Sequence, residues 1–441
     1  MSRRALPVAV LAVAALAAAA WAGVVRPARR AEAAHLAARA KAQQDYDLRS
    51  ADIDFYVRRA TEDPMSAEDR AMVAGLLLQR AREGGGRVDW ELAERYATAS
   101  LALRSDRNGK ARLALASALL AQHKFAPALV EARRLVADSP DEPRYRSLLA
   151  ELDVEMGDYD AAGAQFDTLT PHLTTLAVAP RYARYLEFRG ESRKALRVLE
   201  RALVMARAET DLPREQVAWF GLRLADAQMR SGLMDLAARS LAAALTLVPD
   251  DIRLWSLKAR WHAQRGEWRE ALDAINTVGD QADLQTMALA GDAWAALGDS
   301  GRAAAAWDAT EQSARENPEP YNRQWTLFRL EHGIALAETR ALLERESRER
   351  TDVFGLGQLA LARVLTGDAP GATHAMQRAL ATGTQDAWLW YVAGRVEEAN
   401  GRTTQAAEWY RRVLELHPQF HHRMAADVAH RRKEMERLAM P

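Results

Sequence analysis

The chain has 441 residues, with 60 Lys+Arg against 60 Asp+Glu, a formal net charge of +0 and no cysteine. Charge balance excludes a global basic field that would draw in nucleic acid or an anionic membrane surface, and the lack of cysteine excludes disulfides and Cys-ligated metals. A chain this long, without a composition break, is expected to form an extended array rather than one core.

Residues 5–25 carry no charge and lie between Arg4 and Arg26. About 20 apolar residues cross the hydrocarbon of a bilayer as a helix. Residues 1–27 are therefore expected to be an uncleaved anchor, single-pass in a bacterial-type cytoplasmic (inner) membrane, with the rest of the chain periplasmic. Ala20-Trp21-Ala22 before Gly23 also fits a signal-peptidase site, so secretion after cleavage is the alternative. Residues 28–65 read as a helical stalk and a lead-in helix that turns Ile53, Tyr56 and Val57 to one face. Ser66 opens a capping box ahead of the first helix pair, whose turn is Gly84-Gly85-Gly86.

Beyond Ser66, apolar residues recur at three- and four-residue steps in short stretches broken at glycine. Gly-x-x-x-x-Ala recurs at Gly157/Ala162, Gly190/Ala195, Gly232/Ala237, Gly266/Ala271, Gly298/Ala303, Gly367/Ala372 and Gly401/Ala406. Taking the alanines as markers, the steps 128 to 162, 162 to 195, 237 to 271 and 372 to 406 are 34, 33, 34 and 34 residues. Glycine ends one helix in the left-handed conformation, and the small alanine lets the next helix cross closely. Each unit thus predicts an αα-hairpin, with His123 standing where the other turns have glycine. The step from Ala195 to Ala237 is 42 residues, which predicts a projecting insertion around residues 207–214. After Pro318 and Pro320, the pair around Gly333 lacks the regular alanine and predicts an irregular turn. Residues 420–441 read as a C-terminal capping helix.

This unit resembles the tetratricopeptide repeat, most fully in Asp386 to Pro418, where Trp390, Ala393-Gly394, Gly401, Ala406, Tyr410 and Pro418 fall at motif positions. The resemblance implies an all-α fold, an α-solenoid (a right-handed superhelix) of about ten helix pairs over residues 66–419, in which each repeat contacts only its neighbours. It further implies that the first helix of each pair lines a concave surface where a partner binds. The register sends Glu151, Arg184, Glu187, Trp219, Asp226, Arg260, Asp292, Tyr391 and Arg395 there, free of any packing role. Their mixed signs imply a protein or peptide partner. The Lys and Asn arrangement with which chaperone-binding members clamp a C-terminal carboxylate is missing from these positions. Most of the twelve Trp residues fall at packing positions, whereas Trp219 and Trp388 are placed to line the groove.

His417, His421 and His422 have possible metal-ligand spacing, but Pro418 interrupts them and a solvated helix junction is the expected reading. No nucleophile motif, Walker loop, zincin helix or dinucleotide turn occurs. No catalysis, cofactor, metal, small-molecule substrate or nucleic acid is expected. The expected function is a non-enzymatic protein-protein interaction scaffold at the cell envelope, with membrane contact through residues 5–25. An RNA-binding helical repeat is the alternative.

Overall fold

In the computed structural model, residue 33 and residues 36–439 are described. The expected anchor or signal peptide, residues 1–27, lies outside the described residues. Among the described residues no helix is long and apolar enough to cross a membrane.

Stalk and lead-in form one helix, α1 (36–62), whose Ile53, Tyr56 and Val57 pack on Val73 and Leu77 of the first pair. Ten helix pairs follow among the described residues. The first five are α2 (Ala67–Arg80) with α3 (Gly86–Leu103), α4 (Gly109–Ala121) with α5 (Phe125–Asp138), α6 (Pro143–Met156) with α7 (Tyr159–Thr168), α8 (Ala179–Phe188) with α9 (Ser192–Ala208), and α10 (Arg214–Arg230) with α11 (Met234–Leu247). The second five are α12 (Ile252–Gln264) with α13 (Trp268–Val278), α14 (Leu284–Ala296) with α15 (Ser300–Glu316), α16 (Arg323–His332) with α17 (Leu336–Glu346), α18 (Val353–Leu365) with α19 (Ala369–Leu380), and α20 (Ala387–Ala399) with α21 (Thr403–Leu416). The cap, α22, spans Ala425–Ala439. No strand occurs among the described residues, and the chain is an all-α solenoid of tetratricopeptide-like repeats.

Local chemistry sets the pair boundaries. Ser66, Asp158, Asp251, Asp283, Asn322, Asp352 and Asp386 each accept a backbone N–H of the helix they open, satisfying donors that the first turn leaves free. All seven marker glycines have positive φ, from 71° at Gly401 to 88° at Gly157, and His123 adopts 56° in the same role. Every marker alanine from Ala128 to Ala406 is no more than 1% exposed. Where the first helix carries glycine, an aromatic of the second fills the space: a Cβ at Gly291 would collide with Trp307, and one at Gly394 with Tyr410.

Two pairs depart from the regular spacing. The 42-residue step is taken up by α9 and α10, which run to 17 residues each, and by the break at residues 209–213 between them, of which 209–211 are exposed. In the pair around Gly333, the turn is irregular as expected, with Ala335 at φ 45°, and Thr339 takes the fully buried place of the alanine.

The larger correction concerns neighbours. Repeats do not contact only adjacent repeats, because the coil is wound tightly enough for one superhelical turn to rest on the next. The turn of the second pair meets the junction before α16, through His123 Nδ1 to Glu319 (3.4 Å) and Phe125 beside Tyr321. That of the third meets the junction before α18: Thr351 N donates to Met156 O (3.0 Å), Arg350 Nε to Glu155 O (2.6 Å) and Val353 N to Tyr159 Oη (3.0 Å). The fourth meets the junction before α20, where Thr384 Oγ1 donates to Phe188 O (2.7 Å). The fifth meets the end of α21. This seam uses the turn glycines as contact points. A Cβ on Gly157, Gly190 or Gly232 would run into the backbone of Thr351, Gly383 or Leu416, whereas Gly266, Gly298, Gly367 and Gly401 have nothing within 4 Å.

Gly190→Ala and Gly266→Ala both place a Cβ in the left-handed region, at a cost of roughly 1–2 kcal/mol. Gly190→Ala also overpacks the seam and is expected to lose roughly 1–3 kcal/mol more. Equal melting temperatures for the two variants would mean that the seam is open in solution. Ala271→Leu and Ala406→Leu, at fully buried crossings, are each expected to cost roughly 1–3 kcal/mol in denaturant titrations. A loss under about half a kcal/mol at both sites would refute the close helix crossing.

Candidate interaction surface

The inner helices α8, α10 and α12 bring four of the nine sequence-selected residues into one ion network. Helical spacing puts Trp219, Arg223, Asp226 and Arg230 on one face of α10. Arg230 reaches back to α8, donating to Glu187 Oε1 (2.6 Å), and also pairs with Asp226 on its own helix. Arg184 Nη1 donates to the other Glu187 oxygen (3.3 Å), and Arg260 of α12 donates to Asp226 Oδ1 (3.1 Å). Charges therefore alternate along Arg184, Glu187, Arg230, Asp226 and Arg260. Burial opposes ionisation of Glu187, but Arg230 and Arg184 outweigh it and hold its carboxyl below the usual range. Asp226 is held well below its range in the same way, with burial again overcome by Arg230 and Arg260.

These residues are not free of packing duty, contrary to expectation. Arg184 lies over the rings of Phe188 (4.4 Å) and, across the seam, Phe354 (5.6 Å). Beyond Arg260, a partly open cavity of about 60 Å3 is lined by Asp226, Arg230, Gln264, Trp388, His417 and Phe420. Trp388 thus faces the seam, with its Nε1 buried and unpaired, as are Gln264 Oε1 and His417 Nε2. A space this size holds a few waters, enough to satisfy such groups.

The remaining candidates are dispersed. Trp219 is half-buried, edge-on to Phe220 at 5.2 Å. Glu151 accepts from Arg181 Nε at 2.6 Å. Asp292 is 5% exposed and accepts from His332 Nε2 (2.9 Å), His422 Nε2 (2.7 Å) and Arg423 Nη1 (2.6 Å). Burial raises the Asp292 carboxyl, but the bonds from His332 and His422 prevail and hold it far below its usual range. Tyr391 is 4% exposed between Tyr410 and Phe420, with Arg395 Nη1 donating to its hydroxyl (3.1 Å). Asp292 and Tyr391 thus pack the C-terminal end rather than line an open groove.

The histidine cluster is likewise no solvated junction. His417 is 3% exposed, and His421 faces Glu331 Oε1 at 3.0 Å. His422 joins Asp292 across 130 residues of chain. Among the described residues no group of three or more His, Cys, Asp or Glu is arranged to hold a metal ion. Sequence reading missed Arg230, although the four-residue step from Asp226 is an ion-pair spacing on a helix.

No family model matches the chain, and no curated protein matches it either. Among solved structures, the human IFIT1 dimer with PPP-AAAA is 17% identical over 72% of this chain and 73% of its own length, with a TM-score of 0.48. The type IV pilus biogenesis factor PilW is 15% identical, over 48% of this chain and 96% of its own, with a TM-score of 0.40. The APC/C hetero-tetramer Cut9-Hcn1 gives 12%, 89% and 93%, with a TM-score of 0.34. The repeat assignment rests on the helix pairs and their glycine-alanine register, and not on these likenesses.

Burial alone pushes the His417 imidazole down to about 4 from an ordinary value near 6.5. Folding therefore favours the neutral ring, so its contribution is complete above about pH 6.5 and is lost as pH falls toward 4. The loss is expected to reach up to roughly 3 kcal/mol. His417→Phe should show a smaller fall in melting temperature between pH 7 and pH 4.5 than the wild type. Parallel curves for the two proteins would remove His417 as the source.

Proposed function

We propose that this protein is a non-enzymatic scaffold that holds a protein or peptide partner against the inner face of its coil. The observation that carries this reading is the alternating ladder from Arg184 to Arg260, part-exposed across three successive first helices. Such a ladder offers exchangeable acidic and basic partners at one helix-pair spacing, as an extended polypeptide requires. Trp219, on the same face of α10 as Asp226, adds aromatic area of the kind that anchors interfaces. The balanced charge of the chain favours a polypeptide over a nucleic acid, whose phosphates call for a basic surface. A place at the cell envelope is part of the proposal, and it is supported by the uncharged run of residues 5–25.

The test is crosslinking in the native cell, identification of the captured protein, and titration of that partner against variants. Trp219→Ala is expected to weaken binding by up to roughly 2 kcal/mol, since aromatic anchors carry much of an interface's energy. Arg260→Ala removes one rung but leaves Asp226 paired with Arg230, so it should weaken binding without unfolding. Unchanged affinity in both variants would place the partner elsewhere. Capture of RNA, with an affinity that falls steeply as salt rises, would replace the polypeptide reading with a nucleic-acid one.

A further inference from the structure

The inner faces of α10 and α12 that carry the ladder run on toward the N-termini of both helices. Helical spacing aligns Glu215 with Trp219 and Asp226 on α10, and Arg253 with Arg260 on α12. Around Glu215 and Arg253 these faces border a partly open cleft of about 410 Å3, whose opposite wall is α1, through Ala42, Asp45 and Tyr46. One end of the proposed partner groove is therefore covered by a segment of the chain itself.

α1 is held unequally along its length. Ile53 and Ala60 are 5% and 6% exposed, with Ile53 in the core of the first pair. Arg80 of that pair holds the middle of the helix, lying over the ring of Tyr46 (5.9 Å) and donating to Ser50 Oγ (3.3 Å). No residue from 36 to 45 is buried. Among the described residues, two ion pairs are the polar ties of this stretch to the array: Arg39 Nε with Asp250 (3.0 Å) and Arg214 Nη2 with Asp45 (3.2 Å). All four side chains are at least 31% exposed. Exposed pairs hold weakly and are screened by salt, and the end of a helix opens more easily than its packed middle. The cleft left beneath the stretch shows that apolar packing does not take the place of these pairs.

We propose that residues 36–45 are a releasable strap that occupies the groove end at the junctions before α10 and α12 in competition with a partner polypeptide. The strap itself shows the chemistry of its competitor: a segment with a basic side chain for Asp250, as Arg39 supplies, and an acidic one for Arg214, as Asp45 supplies. Release bares Asp250 and Arg214 and extends the groove beyond Trp219 into the cleft. The competing partner rests on the scaffold reading, whereas the release of the strap does not.

The full chain has no cysteine, so spin labels go cleanly to Lys41→Cys on the strap and Asp280→Cys beside the cleft, both exposed positions. Their separation is read by double electron-electron resonance. One short separation is expected at low salt, joined by a longer one at high salt. Arg39→Glu with Asp45→Lys sets like charges against Asp250 and Arg214 and should move most of the population to the longer separation, with melting temperature nearly unchanged. Adding Asp250→Lys and Arg214→Glu should restore the short one. Competition is read with a fluorescent peptide of residues 36–50 at low salt. It should bind the charge-reversed chain about fivefold or more tighter than the wild type or the re-paired chain, because a tethered segment outcompetes the same segment free in solution. A separation that neither salt nor charge reversal changes would overturn the strap. Release without any gain in peptide binding would overturn the competition. Neither reading uses Trp219 or Arg260, so failure of the ladder is scored separately by the variants of those residues.

Discussion

The approach of turn backbone to junction backbone across the seam is the constraint on which this architecture depends. An ordinary α-solenoid is held by side chains between adjacent pairs, and its successive superhelical turns need not touch. Here Gly157, Gly190 and Gly232 lie so close to Thr351, Gly383 and Leu416 that a methyl group does not fit. Polar groups on both sides are then shielded from water and must find partners in each other, because a buried backbone group without one is costly. Thr351 N with Met156 O and Thr384 Oγ1 with Phe188 O meet that demand. One glycine therefore serves two geometries, a left-handed helix end within its own pair and a contact point for a pair far along the chain.

Electrostatics follow from the same closure. Inner-face carboxylates that would be solvated in an open coil are enclosed by the next turn, and an enclosed charge is tolerated only with a partner. Glu155 meets Arg350, Asp352 meets Arg323, and Asp292 meets two histidines and Arg423. Arginine suits this work, since its planar fork donates in several directions and it stacks on rings, as Arg350 does on Phe125 at 4.4 Å. The prevalence of arginine over lysine thus has a structural use along the seam.

The hairpins were legible because most are written locally, in the Gly-x-x-x-x-Ala spacing. The irregular pair was legible too, in the missing alanine after Gly333. The seam was not, since Gly190 and Gly266 have identical local signatures and differ only in what lies opposite. For the same reason the candidate surface was read half correctly. Helical spacing placed Arg184, Asp226 and Arg260 on neighbouring inner faces, but their engagement with one another and with the next turn depends on superhelical pitch, which no short motif encodes. The histidines carry the same lesson: His422 has no acid near it in sequence and finds Asp292 only through the closed coil.

Closure also bears on how the chain is made. Ribosomes add residues at about 5–20 per second, so the roughly 195 residues between Met156 and Thr351 represent about 10–40 s of synthesis. Through that interval the third pair has its own helices and its neighbour, but not the backbone that covers its turn. The early repeats thus emerge as half of an interface whose other half does not yet exist, with Met156 O and Tyr159 left to water until the ninth pair is extruded. The nascent array is an open spiral that can only shut from its C-terminal end.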